Sequence, residues 1–143
     1  MKVSKYMSTK LITTTPETSV REAFATMRTF RVRHLPVVEK GELVGIISDR
    51  DLRRPRWAEE IENWTDYYRL DEETKVGDVM TRSPQVVRTY DRIDKAVRVF
   101  REQRYGALPV LDKKGDLHGI ISPHDLLGAL ENCLAKNGGK GGK

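Results

Sequence analysis

The sequence has little cysteine and little histidine. Because Cys133 is the single cysteine among 143 residues, an intramolecular disulfide and a zinc site built from clustered cysteines are both excluded. The three histidines stand apart from one another. The sequence also lacks the phosphate-binding G-x-x-x-x-G-K-[ST] loop and the G-x-G-x-x-G and H-E-x-x-H motifs. We therefore expect no catalytic residues, no metal site, no enzymatic activity and no required cofactor.

Long hydrophobic runs are absent as well. No apolar segment approaches the roughly 20 residues that a membrane-spanning helix needs, and residues 1–10 lack the apolar stretch of a signal peptide. A lone cysteine suits the reducing cytoplasm, so we expect a cytoplasmic protein with no membrane partner. The composition, 38% hydrophobic and 33% charged, is that of a folded chain. The net charge of +5 is not concentrated in one tract, which makes nucleic acid a less favoured partner.

The most informative feature is an internal duplication. Residues 3–7 (VSKYM) align with residues 76–80 (VGDVM) at an offset of 73 residues, which becomes 74 after one extra residue near Lys114. The matched pairs include Ala23/Ala96, Leu35/Leu108, Pro36/Pro109, Gly45/Gly119, Ser48/Ser122 and Asp51/Asp125. Such a long series of matches at a nearly constant offset indicates two copies of one structural unit.

Each copy predicts the element order β-α-β-β-α. The predicted strands are 11–13, 34–38 and 43–47 in the first copy, and 85–87, 107–111 and 117–121 in the second. Glycine turns at Lys40-Gly41 and Lys114-Gly115 separate the last two strands of each copy. A second helix is predicted to begin at Ser48 and at Ser122.

The first helix of each copy is predicted from apolar residues at positions i, i+3, i+4 and i+7. Ser19-x-x-Glu22 has the pattern of a capping box at the first helix, and Asp91 is the predicted cap of the second. The four apolar positions are Val20, Ala23, Phe24 and Met27 in the first copy, and Ile93, Ala96, Val97 and Phe100 in the second.

These elements predict an α/β (α+β) fold in which two β-α-β-β-α repeats pack with pseudo-twofold symmetry into one domain. The shared core would leave two equivalent clefts between the halves. We place the first repeat at 1–54, an acidic and aromatic connector at 55–75, the second repeat at 76–132 and a flexible tail at 133–143. The segment Trp57–Tyr68, with a possible amphipathic helix at 58–68, either packs its aromatic rings on the core or docks a partner.

The ordered set V-x-x-V-M, an A-x-x-x-[MF] helix, L-P-V-V, G-x-L-x-G-I-I-S and D-L, found twice, resembles the CBS-domain family. Together the two copies are similar to a stand-alone tandem CBS pair, or Bateman module. The resemblance implies a regulatory sensor that binds AMP, ADP, ATP, NAD or S-adenosylmethionine in clefts between the repeats. It also implies a homodimer and an as yet unidentified regulated protein.

The resemblance also implies which residues bind the ligand. The serines Ser48 and Ser122 would approach phosphate, and Asp51 and Asp125 would hold the ribose hydroxyls. The adenine would lie against the first strand of a repeat and the start of its second strand. The residues concerned are Ile12, Thr13, His34, Leu35 and Pro36 in the first repeat, and Val86, Val87, Ala107, Leu108 and Pro109 in the second.

The chemistry of these residue types fits an adenosyl ligand. A helix N-terminus favours phosphate, and a carboxylate accepts two hydrogen bonds from a vicinal diol. Arg50 and His124, at equivalent positions, could add phosphate contacts. Arg53 and Arg54 make the first site the more basic one.

Two alternatives remain open at this point. The S-x-x-D motifs also match capping boxes with aspartate in the acidic role, so each could simply begin a helix. In addition, the protein could be a scaffold or regulatory subunit with empty clefts that binds a protein or nucleic acid.

Overall fold

The computed structural model describes residues 1–53 and 73–141, which divide into two compact units. One unit is Ile12–Pro84, and the other combines Met1–Leu11 with Gln85–Lys143. The helices are α1 (Val3–Tyr6), α2 (Val20–Phe30), α3 (Asp49–Arg53), α4 (Val76–Val79), α5 (Ile93–Glu102) and α6 (Pro123–Gly141). The strands are β1 (His34–Glu39), β2 (Glu42–Ser48), β3 (Thr81–Arg82), β4 (Val87–Arg88), β5 (Leu108–Leu111) and β6 (Leu117–Ile121).

The unit Ile12–Pro84 contains a three-stranded sheet in the order β1-β2-β3. Strands β1 and β2 form an antiparallel hairpin in which His34 is opposite Ser48. Lys40 and Gly41 form its tight turn, and both have positive φ angles (52° and 80°), as a two-residue hairpin turn of type I′ requires. The predicted hairpin is therefore confirmed.

The unit formed by Met1–Leu11 and Gln85–Lys143 has a sheet in the order β4-β5-β6. Strand β4 is parallel to β5, and β5 is antiparallel to β6. The inserted residue near Lys114 enlarges the turn between β5 and β6. Asp112 holds this turn, because its Oδ1 accepts hydrogen bonds from the backbone N–H groups of Lys114 (2.8 Å) and Asp116 (3.0 Å).

The compact units do not coincide with the sequence repeats, because each unit takes its short helix from the other repeat. Helix α1 lies in the unit of the second repeat, where the Val3 N–H donates to the Asp91 carbonyl at 2.9 Å. Helix α4 lies in the unit of the first repeat, where the Gly77 N–H donates to the Pro16 carbonyl at 2.9 Å. Val3 and Val76 are both fully buried, so these helices are part of the two cores.

Among the described residues, apolar side chains form a cluster inside each unit. The cluster around Leu35 and Ile47 includes Val76 and Met80 from the second repeat. The cluster around Leu108 and Ile121 includes Val3 from the first repeat. A repeat of about 50 residues buries too little surface alone, and the exchange of α1 and α4 enlarges both cores.

The first strand of each repeat differs from the prediction. Residues 11–13 form no strand, and the equivalent contact is a single parallel bridge between Thr14 and Val37. In the second repeat the strand is β4, which begins at Val87 rather than at Gln85. Short strands are poorly defined by local sequence, because their boundaries depend on the strand with which they pair.

The helix predictions are confirmed in part. Ser19 caps α2, since its hydroxyl accepts a hydrogen bond from the Glu22 N–H at 3.1 Å. Asp91 does not cap α5, whose N-cap is Arg92. Instead, the Asp91 carboxylate accepts from the Arg88 N–H at 2.8 Å and lies 3.3 Å from the Lys95 ammonium.

Burial on the two helices also departs from the four predicted apolar positions. Val97 is 38% exposed, and Val99 is the buried valine of α5. Phe24 and Phe100 are only partly buried against their clusters. The register of the apolar stripe therefore differs slightly between the two copies.

Helix α6 extends to Gly141, into the segment 133–143 for which the sequence predicts a flexible tail. The predicted aromatic segment Trp57–Tyr68 lies outside the described residues. Within the described residues, none of the helices combines the length and apolar character of a membrane span.

Candidate functional site

The first S-x-x-D motif lies where β2 ends and α3 begins. The Ser48 N–H donates to Asp51 Oδ2 at 2.9 Å, and the Asp51 N–H donates to Ser48 Oγ at 3.1 Å. Both side chains are partly buried. This reciprocal pair is a capping box with aspartate in place of glutamate. The interpretation of the motif as a helix cap is therefore confirmed, and it leaves open whether the same residues also bind a ligand.

The second motif has the same geometry where β6 passes into α6. The Ser122 N–H donates to Asp125 Oδ2 at 2.9 Å, and the Asp125 N–H donates to Ser122 Oγ at 3.4 Å. The Ser122 hydroxyl additionally lies 3.1 Å from Asp125 Oδ2. Two copies of one constellation therefore occupy equivalent positions in the two units.

Each aspartate uses one carboxylate oxygen for capping. Within residues 1–53 and 73–141, Oδ1 of Asp51 and Oδ1 of Asp125 accept no hydrogen bond. An ionised carboxylate has about four lone-pair sites, so capping leaves acceptor capacity on each aspartate. Capping and ligand binding are thus compatible roles for the same side chain.

His34 joins the first site because it pairs with Ser48 across the β1–β2 ladder. Burial lowers the pKa of the His34 imidazole below its ordinary value of 6.5, while the negative charges of Asp49 and Asp51 act in the opposite direction. The imidazole is therefore neutral at pH 7. The equivalent residue in the second repeat is Ala107, so the two sites differ at this position.

Several residues expected to contact adenine have their side chains in the cores. Leu35, Pro36, Val87, Leu108 and Pro109 are fully buried or nearly so, and Ala107 is 5% exposed. Their side chains pack inside the protein, which leaves the backbone as the part of these residues that could face a ligand. Ile12 and Val86 are partly exposed and Thr13 is exposed.

The candidate phosphate-binding residues Arg50 and His124 have equivalent positions in the two units. Arg50 and His124 are both exposed in the first turn of their helices, beside the capping pairs. The predicted greater basicity of the first site depends also on Arg53 and Arg54. The Arg53 side chain and the whole of Arg54 lie outside the described residues.

The structure adds two candidate residues of the first site that the sequence interpretation missed. Thr14, not Thr13, occupies the position of Val87, and it is 8% exposed and bridges to Val37. Strict use of the 73-residue offset would have found it. Asp49 also belongs here, because its N–H donates to the Arg33 carbonyl at 2.8 Å and its charge acts on His34. Among the described residues, no cluster of potential metal ligands is found.

Comparison with known proteins gives a consistent assignment. The CBS-domain family profile matches residues 3–56 and 76–132. The chain is 35% identical over 137 residues to the CBS domain-containing protein DDB_G0289609 of Dictyostelium discoideum, covering 92% of each chain. It is also 30% identical to an inosine-5'-monophosphate dehydrogenase of Aquifex aeolicus, over 81% of this chain but only 22% of that protein.

Solved structures agree with the sequence comparisons. CBSX2, a CBS-pair protein of Arabidopsis thaliana, has been solved in complex with AMP. Our structure matches that complex with a TM-score of 0.76 and 31% identity, over 92% of this chain and 97% of CBSX2. With its duplicated sequence, its two matching units and its paired S-x-x-D helix starts, the chain belongs to the CBS-domain family as a tandem CBS pair.

Proposed function

We propose that the protein is a non-enzymatic regulatory module that binds an adenine nucleotide at its S-x-x-D helix starts. AMP, ADP and ATP are the first candidates, and NAD and S-adenosylmethionine are the next. The observation that carries the proposal is the hydrogen bonding of the Asp51 and Asp125 carboxylates. Each is fixed by capping through Oδ2 and keeps Oδ1 for a ligand.

The ribose is the part of the nucleotide that these aspartates would recognise. Its 2′ and 3′ hydroxyl groups are adjacent donors, and a carboxylate accepts both. Because capping already holds each aspartate in place, little side-chain entropy is lost when the diol binds. The resemblance to CBSX2, whose complex with AMP has been solved, supports the choice of an adenosyl ligand.

The phosphate would lie toward the serine and the neighbouring cation. Ser48 Oγ accepts from the Asp51 N–H and can donate its own proton to a phosphate oxygen. Arg50 is exposed next to it and carries a permanent charge, whereas the second repeat has His124. We therefore propose that the first site binds the more highly phosphorylated ligand.

The adenine would be held by backbone groups and by the accessible side chains near the first strand. Ile12, Thr13 and Val86 have the exposed surface for such a contact, while the buried Leu35 and Leu108 shape the backbone beneath it. As an assembly we propose a homodimer in the cytoplasm that changes the activity of another protein. A ligand achieves this only if it binds two states of the module with different affinity.

The test is calorimetric titration of AMP, ADP, ATP, NAD and S-adenosylmethionine into the wild-type protein and three variants. Asp51→Asn and Asp125→Asn keep a carbonyl oxygen for capping but lose the charge. Each should weaken binding at its own site by at least about tenfold. The matched control is Asp78→Asn, because Asp78 Oδ2 also accepts a backbone N–H, that of Lys75 at 3.1 Å, outside any S-x-x-D site. This variant should bind like wild type.

Two results would overturn the proposal. One is unchanged affinity in both Asp51→Asn and Asp125→Asn. The other is a flat thermal-shift response to all five ligands at millimolar concentration, since a ligand that binds only the folded state must raise the midpoint. Salt-dependent binding of RNA or DNA without such a response would favour the scaffold interpretation instead.

A further inference from the structure

The side chain of His34 lies on the same face of the β1–β2 hairpin as that of Ser48. The two residues are opposite each other in the ladder, and in the adjacent pair the Asp49 N–H donates to the Arg33 carbonyl at 2.8 Å. Hydrogen-bonded and non-hydrogen-bonded pairs alternate along an antiparallel ladder, so His34 and Ser48 form a non-hydrogen-bonded pair, the kind with the closer side chains. The imidazole is therefore a neighbour of the Ser48–Asp51 capping pair.

The His34 imidazole lies between opposing influences on its charge. It is half-buried, and burial lowers its pKa below the ordinary value of 6.5. Among the described residues, the charged groups that act on it are the carboxylates of Asp49 and Asp51 on α3, which raise the pKa, and the guanidinium of Arg33, which lowers it. Burial has the largest effect, so the imidazole is neutral at pH 7 in the protein without ligand, although two carboxylates favour its protonated form.

A phosphate group beside Ser48 would change this balance. It carries about two negative charges near pH 7, and an opposite charge within about 4–6 Å of a histidine favours the protonated imidazole. A bound phosphate would therefore raise the pKa of His34. Because the binding of two ligands is reciprocally linked, a proton on His34 would raise the affinity for the phosphate by the same factor. A pKa higher by about 1 in the complex corresponds to about a tenfold gain in affinity for the protonated protein.

The other cationic side chains near the two motifs do not provide this response at the first site. Arg50 is exposed close to Ser48 and keeps its charge throughout the pH range in which histidine titrates, so its attraction for phosphate is constant there. The second repeat has Ala107 at the position of His34, and its own histidine, His124, is at the position of Arg50. An imidazole on the strand opposite the serine is therefore a property of the first repeat alone.

We propose that the His34 imidazole is a specificity-determining residue of the first site, where it takes up a proton when the ligand carries a phosphate and stays neutral beside an uncharged adenosine. The proposal rests on the proposed function, and it narrows the ligand class at this site to nucleotides with negative charge close to Ser48. It also makes the module respond to acidification, because a lower pH strengthens nucleotide binding at the first site.

The test is calorimetric titration of AMP and of adenosine into Asp125→Asn, in which binding at the second site is weakened, from about pH 7.5 to about pH 5.5. The same titrations are made with His34→Gln added, because glutamine is polar and of similar size but does not take up a proton. The gain in AMP affinity on acidification should be at least about threefold larger when His34 is present. AMP loses negative charge over this range in both proteins, so the comparison isolates the imidazole. Adenosine should show no such difference.

Proton uptake provides a second measurement on the same proteins. Titrations of AMP in two buffers with different enthalpies of ionisation give the number of protons bound with the nucleotide. This number should be more positive when His34 is present than after His34→Gln. The matched control is His118→Gln in the same background, because His118 is exposed on β6 outside both S-x-x-D motifs. This control should change neither the proton uptake nor the pH dependence of AMP affinity.

The inference fails if AMP affinity depends on pH in the same way before and after His34→Gln, or if adenosine shows the same dependence on His34 as AMP. It also fails if His118→Gln has the same effect, or if AMP binds the wild type but not Asp125→Asn. In each of these cases the proposed function stands and only the role of His34 is wrong. If none of the proposed ligands binds the wild type, both are wrong. Circular dichroism at both ends of the pH range checks that every variant is folded.

Discussion

Asp51 and Ser48 hold each other by two reciprocal hydrogen bonds, of 2.9 and 3.1 Å, at the start of α3. Asp125 and Ser122 repeat the arrangement at the start of α6. These bonds satisfy backbone N–H groups that a helix start leaves without partners. Stability and the proposed ligand binding therefore depend on the same two aspartates.

Truncation of either aspartate should cost stability even without ligand. Asp51→Ala and Asp125→Ala each remove a cap, so we expect the free energy of unfolding to fall by about 1 kcal/mol in urea titrations. Asp116→Ala is the control, because the Asp116 side chain makes no hydrogen bond within the described residues and should change stability by less than about 0.5 kcal/mol. Equal midpoints for all three variants would show that the capping bonds contribute nothing.

Two glycines lie where the residues that follow α4 and α1 pass close to a strand, and both should resist substitution. A Cβ atom at Gly45 would stand 2.6 Å from Met80 Sδ and 2.9 Å from the Thr81 carbonyl oxygen. One at Gly119 would stand 2.6 Å from the Ser8 carbonyl oxygen. Because backbone atoms have little room to move, we expect Gly45→Ala and Gly119→Ala to lower the free energy of unfolding by about 1–3 kcal/mol.

A third glycine provides the control for this measurement. Nothing lies within 4 Å of a Cβ atom built at Gly128, inside α6. Gly128→Ala should therefore raise the free energy of unfolding by about 0.5–1 kcal/mol through helix propensity alone. If Gly45→Ala and Gly119→Ala are as stable as wild type, the close approach of Met80 and Thr81 to Gly45, and of Ser8 to Gly119, is contradicted.

Much of this fold follows from local sequence. The hairpin of β1 and β2 was predictable because apolar strands flank Lys40-Gly41, a pair that adopts positive φ. The cap at Ser19 was predictable for the same reason, since the Glu22 N–H that it accepts lies only three residues away. The duplication extended the prediction of an antiparallel strand pair to β5 and β6. It did not extend the cap, because α5 has no side-chain cap at Arg92, or the apolar stripe, because Val99 rather than Val97 is buried.

Features that depend on distant segments were not predictable. Nothing near Val3 or Val76 in the sequence indicates that each belongs to the core of the other repeat, because that placement depends on hydrogen bonds to remote segments. The candidate site shows the same division. Ser48 and Asp51 were found as a motif, whereas the effect of Asp49 on His34 required the β1–β2 register.

His34 should make stability depend on pH. Burial lowers the pKa of its imidazole in the folded protein below the ordinary value of 6.5, so the unfolded chain binds the proton more tightly. The stabilisation that the buried, neutral imidazole contributes to the free energy of unfolding is therefore fully present above pH 6.5. It is lost as the pH falls from 6.5 toward the lower pKa that His34 has in the folded protein. His34→Ala, which introduces the residue found at position 107, should remove this loss.

The measurement is urea denaturation at a series of pH values from about 7 to 5, the range in which an ordinary histidine titrates. The difference in the free energy of unfolding between wild type and His34→Ala should shrink or change sign as the pH falls. His124→Ala, at an exposed position, serves as the control and should follow the wild-type curve. Parallel curves for wild type and His34→Ala would contradict the prediction.

Thr14 is a buried residue at a position where the two repeats differ by a hydroxyl group. It is 8% exposed, and its backbone bridges Pro36 and Val38, but within residues 1–53 and 73–141 its hydroxyl forms no hydrogen bond. The second repeat has Val87 at this position, fully buried in its core. Because a buried hydroxyl without a partner is unfavourable, Thr14→Val should raise the free energy of unfolding by up to about 1 kcal/mol.

The same substitution separates a structural from a functional role for this hydroxyl. If Thr14 serves the ligand, Thr14→Val should gain stability in the absence of nucleotide and lose affinity in calorimetry, whereas Val87→Thr should lose stability in the second repeat. Stability that falls in Thr14→Val would show that the hydroxyl has a partner in the folded protein. Because both variants keep the side-chain shape nearly constant, the difference between them measures the hydroxyl rather than a cavity.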